Sequence, residues 1–147
     1  MPTIAVIDGW AVGGGLALAT ACDFRICSTG SRFGAPIAKT LSNTLSSRNI
    51  ARLVASLGVP RVKRMLLLAD YLSAGQAEAC GFVHAVVPAD QLQAEAQALA
   101  EQLMALSATT QSAVKESLRR IVVEQRLDDE DLCLLYTSDA ADDTPCV

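Results

Sequence analysis

Residues 2–23 read PTIAVIDGWAVGGGLALATACD, and the order of apolar and glycine residues in them decides the fold. Ile4-Ala5-Val6-Ile7 has the length and branched content of a buried strand, and Asp8-Gly9 ends it with a turn dipeptide. Gly13, Gly14 and Gly15 then lead into an alanine- and leucine-rich segment, residues 16–22, long enough for two helical turns. Glycines let a ligand come close to the backbone, and a helix that starts there presents unpaired N–H groups and its positive dipole end. Such a site stabilises a developing oxyanion, by roughly 2.7–4 kcal/mol per donor. A tight turn with close helix–strand packing would leave the same glycine run, so the residues alone keep both readings open. No Gly-Lys-Ser/Thr follows, and the spacing is not G-x-G-x-x-G, so the run is neither a P-loop nor a dinucleotide fingerprint.

Outward from this segment the pattern continues as mixed α/β. Phe24–Ser28 and residues 31–33 read as two short paired strands around Thr29-Gly30. Ile50, Leu53, Val54 and Leu57 form one helical stripe that Gly58 stops, and Pro60 suits the start of a second helix carrying Val62, Met65 and Leu66. Ser73 and Gln76 have capping-box spacing, with Gly81 at the helix end. Residues 82–87 alternate as a strand would, with His84 half-buried in it, and Pro88 closes the run. Asp90 is placed to cap a helix with the stripe Leu92, Ala96, Leu99 and Leu103, and a last helix carries Val114, Leu118, Ile121 and Val122. Helices packed on a sheet follow from this alternation, and no internal repeat is evident.

The 147 residues amount to one domain or part of one, and 51% apolar against 19% charged content is enough to bury a core. Aromatics at 4% leave alanine, leucine and valine as the core material. A net charge of −4, with Arg61, Lys63 and Arg64 and the pair Arg119–Arg120 as the densest basic groups, excludes a nucleic-acid face. These short groups read as solvated helix faces or as contacts to a ligand phosphate. Five cysteines lack any C-x-x-C pair and His84 is the single histidine, so a zinc site has no support. Cys22, Cys27 and Cys80 are expected as small buried hydrophobes in a reducing, cytoplasmic setting. No apolar run is long enough for a membrane span. Residues 133–147 fit none of the preceding periodicity and resemble translated adapter sequence. They are read as a non-native tail after a domain of residues 1–132. Without Asp139, Asp142 and Asp143 the 16 acids exceed the 12 bases by only one.

Three elements in order carry a family resemblance. Residues 2–23 are similar to the strand–turn–glycine–helix segment of the crotonase (enoyl-CoA hydratase/isomerase) family. Ser31-Arg32-Phe33-Gly34-Ala35-Pro36 resembles its Phe-Gly-x-Pro element, and Ser73, Ala74, Ala77, Gly81 and Val83 match a later one. The resemblance implies a spiral of ββα turns followed by C-terminal helices, truncated at the N-terminus, so that this chain corresponds to the C-terminal part of the domain. It implies an acyl-CoA thioester ligand, a place in fatty acid metabolism, homo-trimers or hexamers, and no cofactor beyond the CoA carried by the substrate. The Gly14 amide becomes one oxyanion donor, with the second expected in a preceding half. Trp10, Gly13, Pro36 and Ile37 become candidate substrate-binding residues.

Two departures matter. The family's hydratase glutamates fall at Ala17, three residues beyond the oxyanion glycine, and at Ile37, after the proline. Neither a methyl nor a sec-butyl group transfers a proton, and hydration needs both an acid and a base. Lys39, Ser42, Asn43, Ser46, Arg48 and Asn49 form a polar stretch that either positions water or a polar acyl chain, or caps a helix. Asp23 and Asp70 read as local structural residues. The expectations are therefore an acyl-CoA enzyme with another proton carrier, a non-catalytic CoA-binding or assembly subunit, or an inactive fragment.

Overall fold

The computed structural model describes residues 1–40 and 45–123. Of the sequence readings, those on Ser42, Asn43 and the tail 133–147 lie outside the described residues.

The chain twice makes the same move. β1 (Ile4–Ile7) turns at Gly9 into β2 (Trp10–Val12) and then into α1 (Gly14–Ala21). β3 (Phe24–Ser28) turns at Thr29-Gly30 into β4 (Arg32–Gly34) and α2 (Ile37–Thr40). Each strand lies parallel to its counterpart: β1 on β3, with Ile4 opposite Phe24, and β2 on β4, with Val12 opposite Gly34. Two ββα units are thus stacked, although their sequences show no repeat. β3 and β4 are not paired with each other, as the sequence suggested. The turn between them sends them into different sheets, ordered β1-β3-β6 and β2-β4-β5.

Ser31, fully buried, rivets the two turns together. Its hydroxyl accepts from the Gly9 N–H at 3.2 Å and contacts the Ile7 carbonyl at 3.3 Å and the Ser28 hydroxyl at 2.9 Å. Gly9 reaches the required bend with φ of 102°, a region open to glycine and strained for other residues.

The helical readings hold closely. α3 (Ser47–Leu57) buries Leu53 and Leu57 and stops at Gly58, whose φ of 79° lets α4 (Val59–Leu67) leave at once. After β5 (Leu72–Ser73), α5 (Ala74–Ala79) begins with a complete capping box: the Gln76 N–H donates to Ser73 Oγ, and the Ser73 N–H donates to Gln76 Oε1. α6 (Leu92–Met104) lays Leu92 and Leu99 on Ile26 of β3. The larger core gathers Leu16, Phe33, Leu53, Met65 and Phe82, with the Phe33 and Phe82 rings edge to face at 5.4 Å.

Other elements depart from the sequence reading. Among the described residues β1 lies at a sheet edge, with Val6 47% exposed, where the sequence suggested a buried strand. The strand expected over 82–87 shrinks to β6 (Ala85–Val87), because the carbonyl of Phe82 turns inward to accept from Arg25. His84 is consequently exposed, against the edge of Phe24. Asp90 sits within a 3-10 turn (Ala89–Gln91) and makes no capping hydrogen bond to α6. Cys27 is buried, while Cys22 and Cys80 are half-buried. On α7 (Ala108–Val123), Val114, Leu118 and Ile121 all face outward.

α7 is tied to the first residues by charge. Asp23 accepts from the Thr3 N–H at 2.7 Å and the Thr3 hydroxyl at 3.0 Å, and pairs with Lys115 at 2.8 Å. Lys115 also donates to the Met1 carbonyl. Burial is the largest influence on Asp23 and raises its pKa, but Lys115 and Thr3 together outweigh it and hold the carboxyl below its ordinary value. The stabilisation is therefore complete above the ordinary carboxylate pKa and disappears as pH falls through the lower folded value. Amide protection along α7, measured relative to the intrinsic exchange rate at each pH, is expected to fall below about pH 4, by at most about 1 kcal/mol of opening energy after solvent screening. Asp23→Asn should remove that pH dependence; protection that still falls in the variant would assign it elsewhere.

Candidate active site

The glycine run places the start of α1 at the end of the second sheet. Gly13, with φ of 57° and ψ of −116°, adopts a conformation that only glycine takes without strain, and its N–H donates to the Gly34 carbonyl at 3.1 Å. The glycine motif and the Phe33-Gly34-Ala35-Pro36 motif are thereby joined edge to edge. The first intrahelical bond runs from the Ala17 N–H to the Gly13 carbonyl at 3.0 Å. The N–H groups of Gly14, Gly15 and Leu16 precede it and so have no acceptor within the helix. Gly14 and Gly15 are exposed, and a Cβ added to either would meet no described atom within 4 Å. Backbone geometry accounts for glycine at position 13. Packing within the described chain does not account for it at 14 and 15.

The other end of α1 is held from below. Arg25, only 8% exposed, donates to the carbonyls of Ala19 at 2.9 Å and Cys22 at 2.7 Å, and also to that of Phe82. Its guanidinium lies 4.6 Å from the centre of the Phe82 ring. Burial is the main influence on this group and draws its pKa down from the ordinary value. A cation at the negative end of a helix is favourable. Here it also supplies a donor to the Cys22 carbonyl and a second donor to the Ala19 carbonyl, which accepts from the Cys22 N–H at 3.3 Å as well. Nothing in the sequence pattern singled out Arg25; an arginine inside a run otherwise suited to a buried strand was the one available signal.

Beside α1 runs a narrow cleft lined by Gly13, Leu16, Ala17, Thr20, Leu45, Asn49, Arg52 and Leu53, too tight to hold a water molecule. Gly13 and Ala17 therefore share one surface. Ile37 opens α2, half-buried, with its N–H on the Ala35 carbonyl at 2.8 Å; neither it nor Pro36 lines the cleft. Trp10 is 66% exposed on β2, edge to face with Tyr71 at 5.0 Å, and stands apart from the cleft. The Tyr71 ring lies 2.5 Å from where a Cβ on Gly34 would be, which requires glycine in the Phe33-Gly34 pair. Of the polar stretch, Asn49 reaches the cleft, Ser46 caps α3 by accepting from the Asn49 N–H, and Lys39 and Arg48 are exposed. Asp70 pairs with Arg64 at 3.0 Å on the surface. Arg52 was not anticipated, because it sits inside α3 between stripe residues. Among the described residues no three His, Cys, Asp or Glu side chains cluster as metal ligands, and no helix is long and apolar enough to cross a membrane.

Stacked ββα units with a glycine-initiated helix at the sheet end define an α/β protein of the crotonase type. Residues 1–133 match the enoyl-CoA hydratase/isomerase family, and the chain belongs to it. A probable enoyl-CoA hydratase, echA8, of Mycobacterium tuberculosis is 36% identical over 119 residues, covering 81% of this chain and 46% of that protein. An (E)-benzylidenesuccinyl-CoA hydratase of Thauera aromatica is 37% identical over 124 residues, covering 77% and 46%. Among solved structures, the enoyl-CoA hydratase of Mycobacterium tuberculosis H37Rv superposes with a TM-score of 0.75 at 33% identity, over 95% of this chain and 61% of that one. An enoyl-CoA hydratase/carnithine racemase from Magnetospirillum magneticum gives 0.77 at 29% identity, over 92% and 51%. The chain spans about half the length of the curated relatives it matches.

If Arg25 fixes the lower end of α1, Arg25→Met should destabilise the fold by about 2–4 kcal/mol, since buried carbonyls lose their donor while the side-chain volume is kept. Urea unfolding checks this. A midpoint unchanged from the wild type would remove Arg25 from the support of α1.

Proposed function

We propose that this chain contributes an oxyanion donor, the Gly14 N–H, to the binding of an acyl-CoA thioester, and that it does not carry out hydratase proton transfer. The carrying observation is the pair of exposed glycines at the first two positions of α1, whose amides have no intrahelical acceptor and whose missing side chains the described chain's own packing does not explain. The thioester oxygen would approach from the open side of the helix start, where the dipole favours developing negative charge. The relatives' names, hydratases acting on CoA thioesters, support the ligand class. A second donor would come from outside the described residues. Assembly as a trimer or pair of trimers belongs to the same reading.

Ala17 lines the cleft one turn beyond the glycines, where the hydratase pattern would place a carboxylate. Its methyl group, with Ile37 at the second position, leaves neither an acid nor a base at the family positions. That paired replacement favours, as a second reading, a CoA-binding subunit without turnover.

Gly14→Pro tests the first reading. Proline is well suited to the first helical position, so the variant deletes the N–H while keeping the helix start. It should bind a saturated acyl-CoA about fivefold more weakly, the worth of roughly 1 kcal/mol for one hydrogen bond, with affinity for CoA alone unchanged. Equal affinity for the thioester in variant and wild type would contradict the proposal. In the same preparation crotonyl-CoA should keep its enoyl absorbance; steady loss of that absorbance would show hydration and overturn the second part.

A further inference from the structure

The solvent side of α4 ends in leucines. Val62 and Met65 turn to the core, whereas Arg61, Lys63 and Arg64 are exposed. At the end of the helix Leu67 and Leu68 are 71% and 67% exposed. They follow Arg64 at i+3 and i+4, so cation and leucines share one helical face. The turn that presents them is closed. The Leu68 and Asp70 N–H groups both donate to the Arg64 carbonyl at 3.2 Å, Ala69 takes φ of 57°, and the Arg64 guanidinium pairs with Asp70 at 3.0 Å. Tyr71 follows directly, 44% exposed, with its ring edge to face against Trp10, which is 66% exposed. Two leucines, a tyrosine and a tryptophan thus stand in solvent at and beside one fixed turn.

Charge in this part of the chain has one sign. Between Asp23 and Asp70 there is no acidic residue, while α2, α3 and α4 carry Lys39, Arg48, Arg52, Arg61, Lys63 and Arg64. The overall charge of −4 conceals this cationic segment. Asp70, the acid that closes it, is engaged by Arg64.

Exposed apolar residues rimmed by charge mark an interaction surface. An anionic bilayer complements this one. Aliphatic side chains enter the acyl boundary, Trp and Tyr rings settle at headgroup depth, and Lys and Arg meet the phosphates. A soluble polyanion would engage the cations and leave the leucines in water. Lying on a bilayer requires no membrane span.

We propose that the turn between α4 and β5, with Trp10 beside it, docks on an anionic phospholipid surface. Leu67 and Leu68 enter the acyl boundary, and Arg61, Lys63 and Arg64 rest on the headgroup phosphates.

Trp10 is the single tryptophan, so its emission reports on this face alone. Titrating the full chain with phosphatidylcholine vesicles rich in phosphatidylserine should shift that emission to the blue, and the protein should sediment with the vesicles. Pure phosphatidylcholine should bind at least about tenfold more weakly, since each cation at a charged surface changes partitioning roughly fivefold. Lys63→Gln should weaken binding to the anionic vesicles about fivefold, and the double variant Leu67→Ser, Leu68→Ser at least about tenfold. All three positions are exposed, so the variants keep the core intact. No binding to anionic vesicles, or equal binding to both kinds, overturns the proposal. Undiminished binding by the double serine variant, or an equal blue shift with heparin, would assign the cations to a soluble polyanion and overturn it as well. A blue shift that grows with protein concentration in the absence of vesicles would give the leucines to a second copy of the chain instead.

Discussion

The guanidinium of Arg25, buried beneath the last turn of α1, is the interaction on which the arrangement of the site depends. By donating to the carbonyls of Ala19 and Cys22 it caps the negative end of the helix, and through Phe82 it anchors that end to the segment entering β6. The Gly13 N–H fixes the other end to the Gly34 carbonyl. With both ends held, the direction of α1 is set, and the N–H groups of Gly14, Gly15 and Leu16 have no acceptor within the helix. The start of α1 is thereby held still through one cation at its far end and one backbone hydrogen bond at its near end.

Much of this was legible in the residues. Gly58, the Ser73–Gln76 capping box and the Leu53–Leu57 stripe each act locally, through backbone conformation or helical period, and the structure realises each where the spacing put it. The readings that failed depended on distant partners. Residues 82–83 look like a strand, but the Phe82 carbonyl is drawn to Arg25, 57 positions earlier, and regular pairing begins only at Ala85, after the His84 N–H has met the Arg25 carbonyl at 2.7 Å. β3 and β4 look like neighbours because they are close in sequence, yet Ser31 binds their turn to the one at Gly9, and each strand pairs with the preceding unit. The apolar stripe of α7 has helical period, and period alone does not tell which surface, if any, covers it.

The candidate site divides in the same way. The glycine run was readable because backbone chemistry is written in glycine itself. Ala17 reaches the cleft as a residue one turn along the same helical face must. Arg52 was not readable, since α3 brings it to the cleft only by packing against α1. Ile37, at the start of α2, and Trp10, on β2, are adjacent to the motifs in sequence but are not among the residues that line the cleft. The outcome is a family scaffold with a glycine-initiated helix whose first amides have no intrahelical acceptor, and with Ala17 and Arg52 lining the cleft beside it.

The amide of Gly14 can be watched directly. In a 15N-labelled sample, saturating acyl-CoA should move the Gly14 proton resonance downfield, with smaller changes at Gly15 and Leu16, while CoA alone leaves it in place. Binding that saturates with Gly14 unmoved, and with its largest shifts elsewhere in the chain, would contradict the account.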